Sequence, residues 1–395
     1  MGGRKVKKSV VVLIALEYPP YLGGIANYSE TMAKYFKYKG QPVSVITTNS
    51  ESRSLEIEII KPLSRGSLKG HWLVRKTFSA IYRLYQHVFI YKAMIFLISS
   101  PGNKRIIVTS LFFDLSWKCI NFFVKLRIPF EIVLHGLDIF ELSQKKPREF
   151  HKVLRKSHRV IVNSISTRKL FMSHFPNHHV PQVFHPLLDT DKIRSLPLLD
   201  TVALCQAFSL DKDAKWIISI CRLAPRKGID LAIEAVSGFL RSHQDWLYII
   251  AGTGSQEDDL KNLIAPDLKK RILFLGPISD THKFSLLNES EIFIMPNRDF
   301  QDDVEGFGIS FIEATFMKNW VIGGDSGGVP EAVDTTSNGI LIDTEADPVP
   351  AITRALNKIA TLDTSRNEML NMGRSFVENR FSIKNYKGIV DHELD

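Results

Sequence analysis

Residues 216–230 read WIISICRLAPRKGID, and this stretch decides the fold class. Trp216–Ile220 is a continuous apolar run of strand length, and the residues from about Gly228 to Leu240 predict a helix. Such runs are typical of central parallel strands that are buried on both faces. A strand, a short loop and a helix in this order predict an α/β unit built on a parallel sheet.

The same alternation of apolar runs and helical patterns continues along the whole chain. A chain of 395 residues is long enough for two domains, each with its own core. We therefore predict two similar α/β halves, joined near His185–Leu199, a segment rich in Pro and Asp. The further predicted strands are Val10–Leu16, Val43–Thr48, Arg105–Thr109, Phe130–Leu134, Val160–Val162, Leu247–Ala251, Ile272–Leu275, Ile292–Met295 and Trp320–Gly323.

The composition indicates a globular protein in a reducing compartment. Hydrophobic residues make up 44% of the chain and charged residues 24%, which argues against long disordered segments. Cys119, Cys205 and Cys221 show no metal-binding spacing and cannot all pair, so we expect no disulfide framework and a cytoplasmic location. The first residues, MGGRKVKKSVVVLIAL, lead into EYPPYLGG rather than a small-residue cleavage site, which favours a tail and a buried strand over a signal peptide.

Charge is unevenly distributed between the two halves. Residues 1–190 hold 29 Lys and Arg against 11 Asp and Glu, a net charge of +18, whereas the remainder carries −9. A basic half indicates an anionic partner, either a membrane surface or nucleic acid, although solubility alone is the simpler alternative. No helix-turn-helix, zinc-finger or RNA-binding signature is present, so we expect no nucleic-acid partner.

One basic segment has two interpretations. Residues 68–99 are apolar and aromatic, with Lys and Arg interleaved, and their densest apolar part is too short to span a bilayer. A basic, aromatic amphipathic helix can lie in a membrane interface. The alternative is a helix packed on the N-terminal half with its basic side in solvent. The segment therefore leaves peripheral association with the inner face of the membrane open.

Two short motifs in the second half carry charge that suits a phosphorylated ligand. Arg222 follows a predicted buried strand and Lys227 lies five residues further on, so the two cations can neutralise a diphosphate outside the carboxyl end of the sheet. Downstream, Glu305 and Glu313 bracket a Gly-X-Gly loop that leads into a predicted helix. Each motif is weak by itself, since a surface Arg and Lys, or two Glu at this spacing, occur often by chance.

The order of the motifs resembles a known family. CRLAPRKGID, EGFGISFIEA and GGDSGGVPEAV in the second half, with EYPPYLGGIANYSE and LHGLD in the first, are similar to the retaining glycosyltransferases of family 4. The resemblance covers nearly the whole chain. It implies the α/β GT-B fold, in which two Rossmann-like domains with parallel sheets face each other across a cleft. It divides the chain into an acceptor domain at 1–188, a nucleotide-sugar donor domain at 189–376, and a C-terminal helix at 377–395 that packs back on the first domain.

The resemblance also implies roles for individual residues. The diphosphate leaving group would be stabilised by Arg222 and Lys227 in place of a metal ion, and His135 would lie beside the donor sugar. Glu305 would hold sugar hydroxyls and Glu313 the ribose hydroxyls. The remaining donor contacts would come from the backbone of Gly23, Gly24, Gly306, Phe307 and Gly308 and from the turn Pro277-Ile278 against the base. No cofactor and no metal is expected, and Asp302-Asp303 do not form an Asp-X-Asp metal motif.

The resemblance implies a hexosyltransferase that moves a sugar from a nucleotide-diphospho-sugar to a glycan or lipid-linked acceptor with retention of configuration. Similarity to phosphatidylinositol-mannoside mannosyltransferases favours GDP-mannose as the donor, with UDP-sugars second. Two alternatives share the fold, namely a sugar-nucleotide epimerase and a catalytically silent nucleotide-sugar-binding protein. His185-Pro186-Leu187-Leu188-Asp189 departs from the family's Asn-Gly-Val-Asp pattern, which leaves the hinge open.

Overall fold

A computed structural model describes residues 9–20, 23–47, 58–60, 91, 95, 97, 103–112, 114–301, 303–362 and 366–388. Backbone contacts divide the chain into two compact units. The first comprises residues 1–163, 167–187 and 388–395, and the second comprises 164–166 and 188–387. The basic aromatic segment predicted at 68–99 lies almost entirely outside the described residues, as do Asp302 and the end of the chain from residue 389.

The first unit is built on a parallel sheet of seven strands, in the spatial order β3-β2-β1-β4-β5-β6-β7. The buried strands carry Val and Ile on both faces, which is why they appear in the sequence as continuous apolar runs. The strands are β1 (Val10–Ile14), β2 (Val43–Ile46), β3 (Glu58–Ile60), β4 (Lys104–Val108), β5 (Glu131–Leu134), β6 (Arg159–Val162) and β7 (Gln182–Val183). The helices between them are α1 (Gly24–Tyr38), α2 (Asp114–Leu126), α3 (Leu137–Lys145), α4 (Pro147–Lys156) and α5 (Ile165–His174).

The second unit contains a parallel sheet of six strands, in the order β10-β9-β8-β11-β12-β13. The strands are β8 (Lys215–Ile220), β9 (Trp246–Ala251), β10 (Ile272–Gly276), β11 (Ile292–Met295), β12 (Trp320–Gly324) and β13 (Gly339–Ile342). The helices are α6 (Thr190–Ser195), α7 (Thr201–Phe208), α8 (Ile229–Ser242), α9 (Glu257–Asn262), α10 (Asp280–Glu289), α11 (Ile309–Phe316), α12 (Val329–Ala332), α13 (Pro348–Ala360) and α14 (Arg366–Phe381).

The predicted pair of α/β halves is confirmed, and the differences lie at the edges of the sheets. The sequence patterns did not predict β3, β7 or β13. Two of these strands, β3 and β7, span only three and two residues, which is too few for the apolar run that marks a central strand. The last described helix, α14, ends at Phe381 within the second unit, and residues 382–388 are not helical, unlike the closing helix predicted from residue 377.

Glycines let the loops at the carboxyl edge of the second sheet pack backbone against backbone. A Cβ atom on Gly228, which has a φ of +65°, would lie 2.0 Å from the carbonyl oxygen of Pro296, and one on Gly324 would lie 1.8 Å from that of Asn297. These contacts are far shorter than van der Waals distance, so no other residue fits without moving a strand end. By contrast, Gly238 within α8 has no atom within 4 Å of its Cβ position.

We expect Gly324→Ala to lower the free energy of unfolding by about 3 kcal/mol, because the added methyl group must displace the backbone at Asn297. Gly238→Ala is the matched control, since its methyl group points into open space on a helix. It should raise the free energy of unfolding by about 0.5–1 kcal/mol. Urea denaturation of both variants measures the difference, and equal stabilities would contradict the close packing of this edge.

Candidate functional site

The carboxyl edge of the second sheet collects the predicted charged residues around Glu305. After β8 the chain makes a 3₁₀ turn at Pro225–Lys227 before α8 begins at Ile229, so Lys227 precedes the helix rather than starting it. Glu305 lies in the loop before α11. The side chains of Lys227 and Glu305 form an ion pair, and both residues are only 8% exposed. The two predicted motifs, 78 residues apart in sequence, therefore meet directly.

Two further side chains that the sequence did not single out complete this cluster. Arg226 lies 3.3 Å from Oε2 of Glu305 and also donates from Nε to Asp303 at 2.9 Å. Asn297, which is fully buried after β11, donates from Nδ2 to Oε2 of Glu305 at 2.8 Å. Arg226 therefore bridges the carboxylates of Glu305 and Asp303.

The neighbouring cations keep Glu305 ionised. Burial by itself would raise the pKa of the Glu305 carboxyl group, but the charges of Lys227 and Arg226, the hydrogen bond from Lys227 and the nearby Arg222 more than offset it. The pKa therefore lies below its ordinary value. Arg222 is exposed at the end of β8, so its guanidinium is available to a ligand.

The loop 306–308 presents its backbone beside this cluster. Gly308 has a φ of +92° and is the N-cap of α11. Its missing side chain makes room for Phe311, whose ring would lie 2.6 Å from a Cβ atom at that position. Phe307 and Gly308 are buried, and Gly306 is the partly exposed residue of this loop. Ser310 donates to the carbonyl of Ile220 at 3.1 Å, which ties the start of α11 to the end of β8.

Glu313 has an ion-pair partner of its own. It is a buried residue of α11, and its Oε1 lies 2.6 Å from Nζ of Lys283 on α10. Burial by itself would lower the pKa of Lys283, but the charges of Glu313 and Asp280 more than offset it, so this pKa lies above its ordinary value. Pro277 and Ile278 lie between the end of β10 and α10. The predicted base-contacting turn and ribose-binding carboxylate are thus linked through Lys283.

His135 lies in the first unit, at the end of β5. Its Nε2 lies 2.8 Å from the carbonyl oxygen of Thr109, and since a carbonyl only accepts, Nε2 carries the proton and Nδ1 the lone pair. Burial lowers the pKa of His135, against the opposing effects of the Thr109 carbonyl and Glu17, so the ring is neutral. The Tyr28 ring packs edge-on at 5.0 Å. A neutral imidazole with a free lone pair suits a hydrogen bond from a sugar hydroxyl.

The backbone around His135 is fixed by Asp138. Its carboxyl group accepts hydrogen bonds from the backbone N–H of His135 at 2.9 Å and of Gly136 at 3.0 Å. Burial raises the pKa of Asp138 to about 7, although these backbone hydrogen bonds act in the opposite direction. In the same unit Gly23 and Gly24 are exposed at the N-terminus of α1, where unpaired backbone N–H groups favour an anion.

Three features bear on metal, membrane and redox chemistry. In the described ranges, no three His, Cys, Asp or Glu side chains are close enough to hold a metal ion. No helix in this part of the chain is both long and apolar enough to cross a bilayer. All three cysteines are free, and burial raises the pKa of Cys119 to about 12 and that of Cys221 to about 11.

Comparison with known proteins matches both halves of the chain. Residues 22–192 match the family model described as Glycosyltransferase Family 4, and residues 204–376 match the one described as Glycosyl transferases group 1. The chain is 34% identical over 163 residues to the GDP-mannose-dependent monoacylated alpha-(1-6)-phosphatidylinositol monomannoside mannosyltransferase of Corynebacterium glutamicum, covering 41% of this chain and 42% of that protein.

A second relative and a solved structure extend the comparison. The GDP-mannose-dependent alpha-(1-6)-phosphatidylinositol monomannoside mannosyltransferase of Mycobacterium tuberculosis is 29% identical over 211 residues, covering 52% of this chain and 53% of that protein. The chain spans about half the length of the curated relatives it matches. The crystal structure of HepE from Anabaena in complex with UDP and glucose superposes with a TM-score of 0.69, 16% identity, and coverage of 96% and 97% of the two chains. At this identity the likeness shows the fold.

We expect Glu305→Gln to lower the free energy of unfolding by about 3 kcal/mol at pH 7, because it leaves Lys227 buried without its counterion. The pKa of Glu305 is depressed in the folded state, so its stabilising effect is present above the ordinary Glu pKa and is lost as the pH falls through the folded-state value. The variant should therefore differ most from the native protein near neutral pH and least in acid. Urea denaturation between pH 3 and 7 measures this convergence, and parallel profiles would contradict the ion pair.

Proposed function

Because the chain belongs to the glycosyltransferases of the GT-B fold, with a Family 4 domain followed by a group 1 domain, we propose that it transfers a hexose from a nucleotide-diphospho-sugar to a glycan or lipid-linked acceptor. The observation that carries this proposal is the cluster of Arg222, Arg226 and Lys227 around Glu305 at the carboxyl edge of the second sheet. In open α/β sheets ligands bind at this edge.

The chemistry of the cluster suits departure of a nucleoside diphosphate. Negative charge grows on the leaving phosphate in the transition state, and fixed cations aimed at it usually supply the largest catalytic effect. Arg222 is exposed and can make forked contacts, while Lys227 is held in place by Glu305. We propose that these side chains stabilise the diphosphate without a metal ion, and that Glu305 also accepts hydrogen bonds from the sugar hydroxyls.

We further propose that the reaction retains the anomeric configuration. The bond between the anomeric carbon and the phosphate oxygen would break, and the acceptor oxygen would bond to the anomeric carbon on the same face of the sugar. The departing phosphate oxygen would take the proton of the acceptor hydroxyl. His135 would orient the donor sugar by accepting a hydroxyl hydrogen bond at Nδ1, since Nε2 is committed to Thr109. No protein carboxylate is assigned as nucleophile or base.

The proposed donor is GDP-mannose. Both curated relatives described above are named as GDP-mannose-dependent mannosyltransferases, which supports this donor and a phosphoinositide-like or other glycolipid acceptor. UDP-sugars come second, because the HepE structure with the same fold contains UDP and glucose.

We expect one donor among GDP-, UDP- and ADP-sugars to be hydrolysed slowly in the presence of EDTA when no acceptor is added. Arg222→Ala and Glu305→Gln should each reduce this rate about 100- to 1,000-fold, since each removes a group that acts on the leaving phosphate or the sugar. Arg241→Ala is the control, because Arg241 belongs to an exposed ion pair with Asp267 and should leave the rate unchanged.

The same assay distinguishes the alternatives. An epimerase would convert the nucleotide sugar to its epimer without releasing the nucleotide, and a silent binding protein would bind without turnover. Absence of binding to every nucleotide sugar would refute the transferase proposal. Hydrolysis that requires a divalent metal would refute the metal-independent mechanism alone.

We also propose that the first unit contacts an anionic membrane surface at the cytoplasmic face, where a lipid-linked acceptor would lie. Helix α4 supports this proposal, because it buries Phe150, Val153 and Leu154 on one side and exposes four basic residues on the other. Within the described part of the chain none of the four makes an ion pair. These residues are Arg148, Lys152, Arg155 and Lys156.

We expect the full chain to sediment with vesicles that contain phosphatidylglycerol at low salt. Replacing the four basic residues of α4 with Gln should weaken this binding about 100- to 1,000-fold, at about 1 kcal/mol for each charge near the surface. The matched control replaces four exposed lysines of the second unit, Lys261, Lys269, Lys270 and Lys358, with Gln. Equal losses in both variants would indicate a net-charge effect, and no loss in the α4 variant would refute this docking face.

A further inference from the structure

The proposed nucleotide subsite, which consists of the turn Pro277-Ile278 and Glu313, contains a buried ion pair to which the proposed mechanism assigns no role. Lys283 contacts Oε1 of Glu313 at 2.6 Å, and the two side chains are 18% and 7% exposed. Two carboxylate oxygens are available on Glu313, so the Lys283 contact at Oε1 leaves Oε2 to accept from a ligand. The ammonium group of Lys283 is the counterion that compensates the burial of this carboxylate.

Lys283 also has an anchor on its own helix. Its Nζ lies 3.6 Å from Asp280, which in turn lies 3.5 Å from Lys192 of α6. The ammonium group stands 4.5 Å from the centroid of the Phe284 ring, which limits where the flexible side chain can move. The Lys283 ammonium is therefore held from three sides, by Glu313, Asp280 and an aromatic face.

Lys283 lies between the two predicted nucleotide contacts, which are the turn Pro277-Ile278 and Glu313. Helix α10 begins at Asp280, directly after the turn Pro277-Ile278 and the cap residue Ser279, whose hydroxyl accepts from the backbone of His282. Lys283 thus joins the segment that follows β10 to the buried face of α11. A nucleoside whose base contacts the turn Pro277-Ile278 and whose ribose contacts Glu313 would therefore span the two elements that this ion pair connects.

We propose that Lys283 is a positioning residue of the nucleotide subsite, which holds the Glu313 carboxylate oriented so that it accepts a hydrogen bond from the 2′-hydroxyl of the ribose. This inference rests on the proposed function, in which Glu313 binds ribose. It assigns to Lys283 the discrimination between ribonucleotides and 2′-deoxyribonucleotides, because that selectivity depends on a carboxylate oxygen fixed at the 2′-hydroxyl.

The test compares nucleotide affinities by calorimetry. The probes are the nucleoside diphosphate among GDP, UDP and ADP that the native chain binds most tightly, and its 2′-deoxy analogue. Lys283→Met keeps the unbranched apolar part of the side chain and removes the ammonium group. It should weaken binding of the ribonucleotide about 10- to 100-fold, as expected for loss of a charge-assisted hydrogen bond, and leave the weaker binding of the deoxy analogue nearly unchanged.

Two further variants separate positioning from simple loss of stability. Lys283→Arg keeps the cation and should restore most of the ribose selectivity. Lys283→Met in a Glu313→Gln background should cost little more than Glu313→Gln alone, because both changes remove the same acceptor geometry. Lys215→Met is the matched control, since Lys215 pairs with Asp245 at the opposite edge of the sheet and is half-exposed.

The outcomes are distinguishable. Selective loss of ribonucleotide affinity in Lys283→Met, with rescue by arginine, supports the inference. Equal loss for both analogues, or retained selectivity, overturns it, even where the native chain binds nucleotide and the proposed function stands. Failure of the native chain to bind any of the three diphosphates overturns the proposed function and this inference together.

Discussion

The second unit depends on one constraint, which is that the carboxylate of Glu305 is buried and must be compensated. Lys227, Arg226 and Asn297 all donate to it, from two separate loops. An ion that has lost its water is stable only with such partners, so the loops after β8 and β11 cannot separate without exposing an unpaired charge. The same arrangement leaves a concentration of positive charge at the carboxyl edge of the sheet, where a diphosphate is best stabilised. The side chains that compensate the buried Glu305 carboxylate are therefore among those proposed to stabilise the diphosphate.

Glycine makes this convergence possible, because charged side chains meet only where the backbones that carry them approach closely. Gly228 against Pro296 and Gly324 against Asn297 bring β8, β11 and β12 together at their ends, and Gly327 lies against the carbonyl of Glu305. A side chain at any of these positions would occupy the space of a neighbouring backbone. The glycine-rich appearance of GGDSGGVPEAV thus reflects packing of the loop around Glu305 as well as any contact with a ligand.

Much of the fold could be predicted from apolar runs. Central parallel strands are buried on both faces, so apolar residues follow one another along them without alternating with polar residues. Short edge strands such as Gln182–Val183 could not, since a few half-exposed residues leave no pattern. In the site, Arg222, Lys227, Glu305 and Glu313 could be selected from their order along the chain. Arg226, Asn297 and Lys283 were missed, because their significance lies in partners that are 79, 8 and 30 residues away.

The sequence by itself determined that this chain forms two α/β units and carries the motifs of a glycosyltransferase, because both depend on local periodicity and on the order of short segments. The tertiary structure decided which charges neutralise one another, that Glu305 is a buried ion-pair partner of Lys227, and that Glu313 is held by Lys283. It also decided that Nε2 of His135 is committed to Thr109. Burial and distance set the state of an ionisable group, and neither quantity is defined until segments far apart in sequence lie side by side.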